Sequence, residues 1–175
     1  FVKEFGTERV RNTPLCESGI LSAALGMSVK GIKSMVEMQF ADFVSTGFNA
    51  IVNNLAKSYW RWGQHADVVV RMPTGAGVGA GPFHSQSNEA WFFHVPGLKI
   101  VYPATPADAK GLLCAAINDP NPVMFFEHKA LYRGIEGEVA EDYYTIEIGK
   151  ASTRAVVISC ILVLLADYVL AWMLL

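Results

Sequence analysis

The sequence predicts an α/β protein with a mostly parallel sheet flanked by helices, and three observations carry that reading. Apolar runs at residues 67–72, 98–102 and 123–127 lack the polar alternation of a half-exposed strand. Strands that are apolar on both faces belong to parallel sheets covered on both sides. Helical patterns separate these runs, and strand–helix alternation is the signature of βαβ units. Finally, Thr105, Pro106 and Asp108 supply a cap, a first-turn proline and an acid three residues on, which together open a helix.

In chain order, Pro14 excludes helix at Thr13, and the small and apolar residues after Ser18 read as a helix over 18–29 that ends near Gly31. A strand follows at 33–40. Phe43, Phe48, Ile51, Val52 and Leu55 recur near helical spacing and predict one longer helix over 41–59. The strand at 67–72 runs into a glycine-rich loop over 74–82. A short helix over 88–94 leads through Pro96 and Gly97 to the strand at 98–102. The helix opened by Thr105 stops near Asn118 and Pro120, ahead of the strand at 123–127. Residues 134–144, acidic and without period, read as a surface connection.

At 175 residues the chain can bury a core, and one domain is expected over residues 1–150. A net charge of −2 without a basic stripe argues against nucleic acid as a partner. Cys16, Cys114 and Cys160 form neither a disulfide framework nor a zinc pattern, so three reduced thiols, buried or half-buried, in a reducing compartment are expected. Residues 151–175 form an apolar tail, and from Ala155 onward its only charge is Asp167. Its length and composition suit a membrane span. Its β-branched first half, AVVISCILV, equally suits a buried strand opening a further domain, and an Asp in mid-span is costly in lipid. A shifted reading frame is the third alternative.

Glu17 lies where the loop after Pro14 meets a helix start, a position at which a carboxylate ordinarily caps the helix or orders the turn. His84 follows the glycine-rich loop among Ser85, Gln86 and Ser87, where hydrogen-bonding neighbours can hold one tautomer for proton transfer. Phe40 and Phe43 flank Asp42 where a strand gives way to a helix. Glu17, Phe43 and His84 all fall at strand ends or helix starts, and ligands of parallel α/β sheets bind beyond the carboxyl ends of the strands. That shared placement predicts one site. The glycine-rich loop itself fits neither a dinucleotide fingerprint nor a P-loop and reads as an active-site edge. His65, His94 and His128 have no metal spacing, and no Ser-His-Asp context supports a hydrolase.

Four segments carry a family resemblance: residues 9–17 (RVRNTPLCE), 37–43 (EMQFADF), 83–87 (FHSQS) and 125–133 (FFEHKALYR). In order and spacing, over about residues 8–151, the chain resembles the beta chain of the thiamine diphosphate-dependent 2-oxoacid dehydrogenases. The likeness is nearest to the branched-chain (2-oxoisovalerate) type, with the pyruvate type next. The resemblance implies a transketolase-like pyrimidine-binding domain that contributes half of a cofactor site formed between chains. It implies that Glu17 bonds a ring nitrogen of the aminopyrimidine, that Leu15, Gln39 and Phe43 line the cofactor, and that His84 handles protons during acyl transfer to lipoamide. Phe43 stands where branched-chain members commonly carry Tyr. A potassium ion held by backbone oxygens of Ala116, Ile117, Asp119 and Asn121 is also implied.

The family's magnesium and diphosphate ligands belong to its alpha chain, and nothing in this sequence resembles them. The resemblance therefore implies an alpha chain, a second beta chain and a lipoyl-bearing acyltransferase as partners, inactivity without the alpha chain, and an interface near Phe43. It further implies the bacterial cytoplasm, or the mitochondrial matrix in a eukaryote. The family's opening strand and helix have no counterpart here and the match fades after Lys150, so a domain truncated at both ends is expected.

Overall fold

The computed structural model describes residues 1–139. The apolar tail at 151–175 with Cys160, the residues 140–150 before it and the end of the expected surface connection lie outside the described residues. Four strands, β1 (Ser34–Glu37), β2 (Val68–Thr74), β3 (Lys99–Val101) and β4 (Val123–His128), form one sheet in the order β1-β2-β4-β3. Every pairing is parallel, with Ser34 opposite Val68, Val69 opposite Val123, and Lys99 also opposite Val123. Helices α1 (Val2–Arg9), α2 (Glu17–Val29), α3 (Ser58–Trp62), α4 (Ala90–Phe93), α5 (Pro106–Asn118) and α6 (Leu131–Gly134) surround or extend it.

The two central strands explain the unalternating runs. Val68, Val70 and Met72 of β2, with Met124 and Phe126 of β4, face a core completed by Leu21 and Ala24 of α2 and by Val44, Ile51 and Leu55. Val69, Val123 and Phe125 face the other way, against Leu112 and Ala116 of α5. Each such side chain taken from water contributes about 1.5–3 kcal/mol, so a strand buried on both faces has no place for polar alternation. Among the described residues no helix is long and apolar enough to cross a membrane.

The expected single helix over 41–59 is a correction. The segment starts as a 3-10 helix, Ala41–Gly47, widens into a π-helical stretch, Ala50–Leu55, and ends as α3. The tight start is closed by backbone bonds three residues apart, from the Phe43 amide to the Phe40 carbonyl and from the Phe48 amide to the Ser45 carbonyl, with Ser45 Oγ also donating to the Asp42 carbonyl. The wide stretch closes with the Ala56 amide donating to the Ile51 carbonyl, five residues back. Helices α2 and α5 and strands β2, β3 and β4 match their expected positions, the strand at 33–40 and the helix at 88–94 are shorter than predicted, and α1 and α6 have no counterpart among the expected elements.

At the amino end of β4, Lys99 bonds the Asp119 carboxylate, which also accepts from the Asn121 amide and side chain. Burial alone would raise the Asp119 pKa, but Lys99 and Asn121 outweigh it and hold the carboxyl below its ordinary value. Asp119 therefore stabilises the fold above the unfolded carboxyl pKa, about 3.9, and the contribution is lost as pH falls through the lower folded value. Asp119→Asn should cost on the order of 1 kcal/mol at neutral pH. Melting curves across pH should show the gap to the parent narrowing below about pH 4. A gap independent of pH would contradict the charge pairing.

Candidate active site

Helix α2 begins at Glu17, and its N-cap residue, Cys16, makes no side-chain cap bond. Glu17 is therefore the first helical residue rather than the cap, and its half-buried carboxylate turns toward the 3-10 segment. Thr46 Oγ1 lies 3.1 Å from Glu17 Oε2 and 3.1 Å from the Phe43 carbonyl. Thr46 has a single hydroxyl proton, so it donates to the Glu17 carboxylate or to the Phe43 carbonyl, one at a time. The approach is close because of Gly47: a Cβ there would stand 2.3 Å from Leu21 Cδ1 and 3.5 Å from the Glu17 carbonyl. A Cβ here would force the end of the Leu21 side chain aside while meeting the Glu17 backbone at ordinary contact distance.

His84 closes a single 3-10 turn, Pro82–His84, after the glycine-rich loop. Its ring meets Phe43 edge to face at 5.4 Å between centroids and Phe40 at 6.0 Å. Its Nδ1 is buried without a hydrogen-bond partner among the described residues. Glu17, Thr46, Phe43 and His84 thus form one continuous chain of contacts beyond the carboxyl ends of β1 and β2. The structure brings together the three residues that the sequence proposed as one site. Leu15, 95% exposed, and Gln39, also exposed, stand at its rim with Phe83, which is 75% exposed. Ala116, Ile117, Asp119 and Asn121 lie elsewhere, at the end of α5 and ahead of β4, the opposite end of the parallel strands. There the Ala116 carbonyl accepts from the Asp119 amide.

Two charged pairs near the strand ends escaped the sequence. Lys129 and Asp42 are side chains only 3% and 2% exposed, with Nζ 3.8 Å from Oδ2. Arg71 of β2 forks onto Glu127 of β4, with its second bond at 3.1 Å, while Tyr132 Oη donates to Glu127 at 3.2 Å. The hydrogen bond to Glu127 raises the Arg71 pKa against the opposing effect of burial. Burial first, then the Glu127 carboxylate, pushes the Tyr132 phenol up to about 12. One signal could have found both pairs. A charge set inside or directly after a strand apolar on both faces needs a buried partner. Cys114 is half-buried as expected, whereas Cys16 is exposed, against the expected burial; both are free thiols. Among the described residues no cluster of His, Cys, Asp or Glu could hold a metal ion.

A carboxyl, an aromatic ring and an imidazole thus gather at the carboxyl ends of the strands, the place where parallel α/β sheets bind their ligands. Residues 2–135 match the transketolase pyrimidine-binding domain, and the chain belongs to that family. It is 49% identical over 156 residues to the 2-oxoisovalerate dehydrogenase subunit beta of Bacillus subtilis, covering 87% of this chain and 47% of the relative. Identity is 47% over 152 residues with the mitochondrial 2-oxoisovalerate dehydrogenase subunit beta 2 of Arabidopsis thaliana, covering 85% and 42% of the two chains. With the pyruvate dehydrogenase E1 component subunit beta of Staphylococcus aureus (strain Mu50 / ATCC 700699) it is 44% over 154 residues, covering 87% and 47%. The chain thus spans less than half the length of these curated relatives.

Proposed function

We propose that this chain is the pyrimidine-binding part of the beta subunit of a 2-oxoacid dehydrogenase of the 2-oxoisovalerate type, working with thiamine diphosphate. The observation that carries the reading is the continuous contact from Glu17 through Thr46 and Phe43 to His84. The residues fit the group: a carboxyl for a ring nitrogen, an aromatic ring for an aminopyrimidine, and a buried imidazole nitrogen left without a partner. When bound, the cofactor supplies the activated thiazolium carbon on which 2-oxoacids are decarboxylated.

This chain's own residues have narrower tasks. Glu17 holds a proton at the ring nitrogen. Phe43 orients the ring, Leu15 and Gln39 border it, and His84 moves a proton as the acyl group passes to lipoamide. Magnesium and the diphosphate belong to an alpha chain, which with a second beta chain and a lipoyl-bearing acyltransferase completes the assembly. Exposed Leu15 and Phe83 support an interface at the rim. We assign a potassium ion to the carbonyls of Ala116, Ile117, Asp119 and Asn121, a donor set that suits a hard cation. Residues 1–150 form the proposed domain and 151–175 open the next. The compartment is the bacterial cytoplasm or, as the Arabidopsis relative's name suggests, the mitochondrion.

The 44% identity to a pyruvate dehydrogenase subunit supports a second reading, with pyruvate as substrate. A panel from pyruvate to branched 2-oxoacids, given to the beta subunit assembled with its alpha chain, decides between them. In the same assembly His84→Ala should lower acyl transfer to a lipoyl domain by about 100-fold or more, while decarboxylation with an artificial electron acceptor falls much less. Equal losses in both steps would count against the proton-handling role.

A further inference from the structure

Lys129 and Asp42 have no part in the chemistry above, yet they are among the most deeply buried charges described. Burying a lysine is costly unless each N–H finds a partner. Nζ donates one hydrogen bond, to the His84 carbonyl; Asp42 Oδ2, buried without a hydrogen-bond partner among the described residues, lies 3.8 Å away as a charge contact, and the centroid of the Phe40 ring lies at 4.2 Å. The other carboxylate oxygen of Asp42 accepts from the Gln86 amide at 3.0 Å. The Gln86 carbonyl in turn accepts from Thr74 Oγ1 at 3.2 Å and the Gly75 amide at 2.9 Å. Asn88 Nδ2 ties the same segment to the Ala41 carbonyl at 2.8 Å. Residues 84–88 are thus fastened at both ends, and the ammonium also braces Phe40, one of the two rings against which His84 packs.

We propose that Lys129 and Asp42 are positioning residues, a buried clamp that fixes the His84 loop and thereby aims the imidazole past Phe43. The role rests on the reading of His84 given above. A weaker hold matters because an error of about 1 Å in a reacting group can cost about 100-fold in rate. An imidazole acting at the end of a loop has few other restraints.

Removing one charge alone strands the other, so Lys129→Met could fail to fold. The neutral pair Asp42→Asn with Lys129→Met keeps the volume and removes both charges. In the assembled enzyme with thiamine diphosphate, this variant should lose about 100-fold in transfer to a lipoyl domain and no more than about tenfold in decarboxylation. Adding His84→Ala to it should cost little more. Equal losses in both steps, unchanged transfer, or a further full loss on adding His84→Ala would overturn the clamp. An independent readout needs no activity: in the parent, NMR of histidine labelled at Cε1 should show the His84 signal shifted by the rings of Phe40 and Phe43. The shift should collapse in the neutral pair, and a signal unmoved there refutes the clamp whatever the rates. A parent assembly without thiamine-dependent decarboxylation would instead refute the function proposed for the site, leaving the NMR result to judge the clamp alone.

Discussion

Glu17→Gln should slow exchange of the cofactor's thiazolium C–H with deuterated water by about 10²–10⁴, in an assembly that still forms. Glutamine keeps the shape of the side chain and can still accept from Thr46 Oγ1, now 3.1 Å from Glu17 Oε2. The packing at Gly47 does not involve the carboxylate, so α2 keeps its seat. What is lost is the carboxyl's ability to take up and release a proton, since the amide does not ionise. Thr46→Ser, which retains the hydroxyl, should by contrast leave the exchange near that of the parent. Exchange measured by NMR after quenching reads this step before any substrate enters, so alpha-chain contributions to substrate choice do not blur the outcome. Exchange undiminished in Glu17→Gln would remove the proton role from this residue.

The largest expected effect on stability lies away from the site, at Gly97. Its φ is +99°, and a Cβ there would stand 2.0 Å from the Ala56 carbonyl oxygen. An alanine at this position would suffer twice: left-handed strain costs an L-residue about 1–2 kcal/mol, and the collision adds about 1–3 kcal/mol. The clash is with backbone, which cannot swing aside as a side chain would. Gly97→Ala should therefore lower stability by about 3 kcal/mol or more, read by urea or thermal unfolding. Gly79→Ala is the control, because φ is also positive but nothing lies within 4 Å. It should cost no more than about 1–2 kcal/mol. Equal losses at both positions would show that strain alone, without the Ala56 contact, governs the turn.

Much of this architecture was legible because one physical cause left one pattern. The runs at 68–70 and 123–126 are apolar because both faces are covered. The cap at Thr105 is local, and its hydroxyl accepts from the Asp108 amide at 3.1 Å. Glu17, Phe43 and His84 were legible as strand-end residues, though their order in space came only with the fold. The segment from Ala41 onward misled because helical spacing of apolar residues does not separate α from 3-10 or π geometry. There the segment is told apart by its backbone bonds, three residues back at Phe43 and five residues back at Ala56. The pairs Arg71–Glu127 and Lys129–Asp42 were invisible for another reason. A charge in a sequence states a need for a partner but not which distant residue supplies it.

The contacts that build the site span long stretches of chain. Thr46 reaches Glu17 across 29 residues, Gln86 reaches Asp42 across 44, and Lys129 reaches His84 across 45. Closing such loops before packing rewards them is slow, and β2 and β4 themselves meet across 56 residues at Arg71 and Glu127, so the site assembles together with the sheet and not ahead of it. The site therefore acts as a record of completed folding, and a ligand that needs all of it selects only molecules whose sheet has closed in the native order.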